Sequence, residues 1–127
     1  MDVACILSLL LRKKYGITIE IISLYHGLEN AIEEFEPNIL LIPWSYSGND
    51  IHTGKAFRKW PNASVVNLGN EQMYAKINAF AKAPQDEFSQ KHVIHHVWGS
   101  YRIDMLKRYN VPQKNIFVNG NPSYTLY

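Results

Sequence analysis

Apolar residues recur along this chain at two spacings, and the switches between them mark out its elements. Val3, Ile6, Leu7, Leu10 and Leu11 fall at i, i+3, i+4, i+7 and i+8, one face of a helix, and Cys5 and Leu9 widen that face. The spacing predicts a first helix that is largely buried. Arg12, Lys13 and Lys14 follow as its basic last turn, favourable to the helix dipole. Gly16 supplies a left-handed stop, and residues 17–23, rich in β-branched side chains, predict a strand.

Leu28, Ala31, Ile32 and Phe35 share a second helical face, with Glu29, Glu33, Glu34 and Glu36 opposite, and Pro37 closes the segment before a short apolar strand at 39–42. Asn49 or Asp50 caps a weaker helix that runs to Trp60, and residues 63–68 read as the next strand. Residues 69–90 are the least regular, with a short helix around Met73, Ile77 and Phe80 and a break at Ala83-Pro84; they read as a functional loop or a docked helix. From Lys91 the pattern returns. Residues 92–98 predict a strand, Gly99 a turn, Ser100 the N-cap of a helix to Tyr109, and residues 115–119 a last strand. Asn110 takes the left-handed cap, and Val111-Pro112 forbids continuation.

Strands alternating with helices imply right-handed crossovers and a parallel sheet covered on both faces. The expected fold class is therefore α/β, a Rossmann-like three-layer α/β/α domain with a mostly parallel sheet. Such domains open with a strand that leads into the first helix. Here the pattern starts at that helix, so a sheet lacking the usual first strand is expected.

With 127 residues, 46% of them hydrophobic, the chain suits one domain with a real core spanning 1–127. Its formal charge of only +2 offers no electrostatic case for nucleic acid or an anionic membrane. The apolar run 4–11 is too short to span a bilayer, and its basic residues follow it, whereas those of a signal peptide precede it. No transmembrane segment is expected. A lone Cys5 set among apolar neighbours reads as a small packing residue, excludes a disulfide within the chain and suits a reducing cytoplasm.

Candidate chemistry lies mainly after the strands, where open α/β sheets gather ligands. Glu71 stands just past one strand end, in NLGNEQ, where a carboxylate can act as general base on a sugar hydroxyl or simply be a solvated helix-start acid. The loop PWSYSGND mixes aromatic and hydroxyl side chains, which makes Ser45 and Ser47 candidates for sugar contact as well as for ordinary turn chemistry. His26 likewise follows a predicted strand. Gly99-Ser100 presents amides at the positive end of a helix dipole, suited to a phosphate or carboxylate, while Ser100 serves equally as a plain cap. His92, His95 and His96 alternate across a strand, so His95 opposes the other two. With no Cys or acidic cluster beside them, neither a metal site nor a cofactor is expected.

The stretch HHVWGSYRIDMLKRYNVPQKNIFVNGNPSY, read with NLGNEQMY upstream, resembles the N-terminal half of surface-carbohydrate biosynthesis proteins, for capsule or lipopolysaccharide, that have the GT-B glycosyltransferase fold. In that group a strand ending in Trp-Gly leads to a similar helix, a Val-Pro turn and a strand ending in Gly-Asn-Pro. The resemblance implies an acceptor-side domain, with a nucleotide-sugar donor and a glycan acceptor as partners. A C-terminal donor domain or partner subunit would complete the site, and residues 119–127 would begin the linker. It further implies that Glu71 is the acceptor contact or base, with Gln72 beside it. Gly99 and Ser100 would face the interdomain cleft, Gly120, Asn121 and Pro122 would form the hinge, and Gln72, Gly99, Ser100, Asn119, Gly120 and Asn121 would contact substrate. Two alternatives remain open. One is a non-catalytic α/β module that binds a sugar or a partner. The other is a related GT-B sugar-nucleotide epimerase or polyol-phosphate transferase.

Overall fold

A computed structural model describes residues 3–23, 25–49, 54, 58, 60–69 and 82–121. In chain order the elements are helix α1 (Val3–Tyr15), helix α2 (Leu28–Phe35), strand β1 (Ile39–Ile42), strand β2 (Ser64–Asn67), helix α3 (Glu87–Lys91), strand β3 (Val93–Val97), helix α4 (Ser100–Arg108), a 3-10 turn (Gln113–Asn115) and strand β4 (Ile116–Val118). The strands form one four-stranded sheet in the order β1-β2-β3-β4, and every pair is parallel. The fold is α/β, a parallel sheet flanked by helices in the Rossmann-like three-layer manner.

The local signals explain where the helices stop. Gly16 (φ 67°) and Asn110 (φ 61°) both take the left-handed conformation that ends a helix. At the end of α2 it is Glu36 (φ 47°) that does so, ahead of the buried Pro37.

Strand order repeats chain order, so right-handed crossovers carry α3 and α4 to the same side of the sheet. The register confirms it. Leu40, Ile42, Val65, Val93, Val97 and Ile116 share one face. Phe88 of α3 packs against Ile42, Val65 and Val93 there, and Leu106 of α4, with Val111, packs against Val97 and Ile116. Full burial of a side chain such as Leu106 is worth about 2 kcal/mol.

Several expectations are corrected. Residues 17–23 form no strand despite their β-branched content, because propensity alone makes no strand without a hydrogen-bonded neighbour. The first helix is not largely buried: Leu9 and Leu10 are exposed, as is Cys5, because α1 does not bury its whole apolar face. Coverage of the sheet is also unequal, since Ile39 and Leu41 of β1 and Phe117 of β4 remain exposed on the second face. The last strand is shorter than 115–119 because Gln113–Asn115 turns as a 3-10 helix, with the Asn115 side chain donating to the Lys91 carbonyl at 2.7 Å. The helices expected around Met73 and between Asp50 and Trp60 lie largely outside the described residues.

Candidate functional site

The carboxyl ends of the four parallel strands lie on one edge of the sheet, and the backbone ladder runs slightly past them. Leu68 N donates to Ile42 O at 2.8 Å, and Asn119 N donates to Val97 O at 3.2 Å. The second bond sets Asn119 beside the end of β3. Gly99 and Ser100 after β3, and Asn119, Gly120 and Asn121 after β4, therefore follow neighbouring strand ends on this edge.

Ser100 is the first residue inside α4, and Gly99, with extended backbone, is the N-cap. The expectation of Ser100 as cap is corrected here. Arg102 N reaches the Gly99 carbonyl at 3.2 Å, which places the start of the helix one residue earlier. No side chain caps this end, so its leading amides present the positive end of the helix dipole at the strand-end edge.

Ser45 and Ser47 sit at the other end of the edge, after β1, within a polar network. Asn67, buried on β2, directs Nδ2 to the Ser45 carbonyl at 2.9 Å and accepts from Gly69 N through Oδ1 at 2.9 Å. Those two partners fix its amide orientation, since only oxygen can meet an N–H and only nitrogen can meet a carbonyl. The register sets Asn67 opposite His95 on β3, with Nδ2 3.4 Å from His95 Nδ1. His95 Nε2 donates to the Ser89 carbonyl at 2.7 Å, and because Asn67 Nδ2 can only donate, His95 Nδ1 meets it as the acceptor of a neutral ring. Burial, aided by the charge of Arg102 and opposed by the Ser89 bond, lowers the His95 pKa to about 4.

Asp86 closes the network. Its Oδ1 accepts from Ser89 N at 2.8 Å and Ser89 Oγ lies 3.2 Å from Asp86 N, a reciprocal cap on α3. Oδ2 accepts from Ser47 Oγ and from Gly48 N, both at 2.6 Å. Burial raises the Asp86 pKa, but the bonds from Ser47, Ser89 and Gly48 outweigh it and hold the carboxyl below its ordinary value. The loop after β1 is thus tied to α3 by one carboxylate. It is also tied by Gln85 N, which donates to the Tyr46 carbonyl at 2.7 Å.

Backbone packing tightens the same loop. A Cβ on Gly54 would collide with the Gly48 carbonyl oxygen, and one on Gly48 would lie 2.8 Å from Phe88 Cδ1. On the far side, Arg102 donates to the Lys82 carbonyl at 2.5 Å and to Met105 Sδ at 3.1 Å, so a buried cation orders the entry into residues 82–86.

His95 and His96 alternate as expected, His95 facing the helices and His96 the opposite face, where its Nδ1 donates to the Leu68 carbonyl at 3.0 Å, but the expected pairing of His92 with His96 is corrected. His92 lies just before the strand and stacks on Phe88 with ring centroids 5.7 Å apart. Among the described residues no group of three or more His, Cys, Asp or Glu is placed to hold a metal ion. Likewise, among them no helix is long and apolar enough to cross a membrane.

Glu71, Gln72 and Pro122 lie outside the described residues. His26 is exposed, remote in sequence from the strand ends. The residues that the sequence reading missed are Asn67, Asp86 and Ser89. Asp86 and Ser89 carried a visible signal, an Asp three residues ahead of a Ser at a helix start. Asn67 carried none, because its role depends on register. Comparison of the chain with protein-family models, with curated proteins and with solved structures finds no match to any of them.

Proposed function

We propose that this chain is the acceptor-side, Rossmann-like domain of a GT-B glycosyltransferase of surface-polysaccharide synthesis, which transfers a sugar from a nucleotide-sugar donor to a glycan acceptor. The reading rests on the motif resemblance. The single structural observation that supports it is the bond from Asn119 N to Val97 O, which sets Asn119 beside the end of β3, just ahead of the uncapped start of α4. A phosphate or sugar hydroxyl set there would meet backbone N–H groups and the helix dipole together. In this reading a second domain or subunit closes over the edge and brings most of the donor contacts, and Glu71 serves as the base toward the acceptor hydroxyl.

A second reading, a binding module without catalysis, draws on one observation. The two buried or half-buried titratable side chains of the network, Asp86 and His95, are both committed to holding loops.

The test is ligand-observed NMR of the purified chain with a panel of nucleotide sugars and acceptor oligosaccharides, repeated on Ser100→Asp. A carboxylate at the first turn suits the helix dipole, so the variant folds at least as well, while it repels an anionic ligand. Binding by the wild type that the variant loses supports the site; no binding of either ligand class overturns it. Catalysis is separated by Glu71→Gln in the chain reconstituted with a donor domain: the glycosyltransferase reading expects turnover to fall with binding retained.

A further inference from the structure

One buried amide holds two of the strand-end loops at once, and a buried imidazole beside it decides whether it can. Asn67 of β2 donates through Nδ2 to the Ser45 carbonyl after β1 and accepts through Oδ1 from Gly69 N, each at 2.9 Å. Gly69, at φ 57°, leads the chain out of β2 toward Glu71 and Gln72. His95 of β3 sets Nδ1 3.4 Å from the same Nδ2. Its other nitrogen, Nε2, is engaged with the Ser89 carbonyl at 2.7 Å, so the ring cannot turn to offer a different atom without giving up that bond. Both side chains are only 2% exposed, which leaves water no ready way to stand in for either partner.

We infer that Asn67 and His95 form a proton-operated latch: protonation of His95 Nδ1 releases the Gly69 turn and the Ser45 carbonyl while α3 stays docked. The inventory of donors and acceptors dictates this. An imidazolium carries N–H on both nitrogens, so Nδ1 would aim a hydrogen at the amide Nδ2, which also only donates. Flipping the Asn67 amide gives His95 an oxygen. It also sets that oxygen against the Ser45 carbonyl and turns the N–H₂ toward Gly69 N–H, so both loop bonds are lost. The Ser89 bond survives, because Nε2 donates in either state. The release is therefore local: Leu68 N keeps Ile42 O, and Ser47 and Gly48 keep Asp86. Burial, aided by the charge of Arg102 on α4 and opposed by the Ser89 bond, keeps the latch shut near neutrality and sets its opening around pH 4. On α3, Asp86 is committed to Ser47, Gly48 and Ser89, and Glu87 and Lys91 pair with each other at the surface. His92 stacks on Phe88, and His96 faces the opposite side of the sheet. The inference is independent of the proposed activity.

An NMR titration of the full chain, from neutrality down through about pH 4, tests it by following the His95 ring nitrogens together with amide protection factors. As the ring takes up its proton, protection at Gly69 should fall by about tenfold or more relative to that at Leu68 and at His92, whose N–H groups bond Ile42 O and Phe88 O. His95→Gln, which has no proton to gain, should hold Gly69 protection constant over the same range. Constant Gly69 protection while the His95 ring titrates in the wild type overturns the inference. So does a joint loss at Gly69, Leu68 and His92, which is global unfolding, and so does an equal Gly69 loss in His95→Gln. If His95→Gln fails to fold, the wild-type comparison decides alone.

Discussion

His95 on β3 donates from Nε2 to the carbonyl oxygen of Ser89 on α3 at 2.7 Å, which locks a helix to the strand that follows it. The contact with Asn67 needs a neutral ring whose Nδ1 can accept, and burial provides one by lowering the pKa to about 4 from 6.5. In the unfolded chain the same imidazole binds a proton near its ordinary value, so the stability this site contributes is complete above about pH 6.5 and is lost as pH falls toward 4. Across that window the loss approaches about 3 kcal/mol. Urea unfolding at several pH values should show the slope in the wild type and lack it in His95→Gln.

Asp86 titrates in a lower window. Its carboxyl is depressed below 3.8, so its contribution is present above that value and disappears as pH falls through the folded pKa. Asp86→Ala removes the cap of α3 and the anchors of Ser47 and Gly48, leaving the Gln85–Tyr46 tie, and should cost about 2 kcal/mol at neutral pH. Asp86→Asn keeps an oxygen for Ser89 N but turns an N–H₂ toward Gly48 N–H, so it should recover only part of the loss. Chemical denaturation of the two variants beside the wild type ranks them.

Gly48→Ala places a methyl 2.8 Å from Phe88 Cδ1 and near the root of that side chain, where a small rotation cannot relieve it. Phe88 in turn packs on Ile42, Val65 and Val93. A destabilisation of about 1–3 kcal/mol is expected, seen as a lower thermal midpoint. Gly99→Ala, where a Cβ meets nothing within 4 Å, should lower it less, for a cost of about 0.5–1 kcal/mol from the poorer N-cap alone.

Asn67→Leu keeps the branched shape at a buried position but strands the Ser45 carbonyl and the Gly69 N–H, each left by the lost amide. The cost should reach about 2–4 kcal/mol from desolvated, unpaired backbone groups. Faster amide exchange at Gly69 than at Leu68, whose own bond to Ile42 O survives, would localise the effect.

Much of this molecule was legible from local pattern. Helical periodicity marked α1, α2 and α4; Gly16 and Asn110 announced left-handed stops; and apolar runs between them located all four strands and the α/β class. These features depend on residues within a few positions of one another, so a linear reading reaches them. The candidate pair Gly99-Ser100 was visible for the same reason, as was the Gly-Asn ending after β4. Only the tertiary structure set the two after neighbouring strand ends. It also decided that residues 17–23, strand-like by composition, form no strand, because a ladder requires a partner. The network of Asn67, Asp86, Ser89 and His95 is of this second kind. Its capping box is local, but the meeting of Asn67 with His95 exists because β2 and β3 pair in one register, and a shift by a single residue would turn one of them to the opposite face.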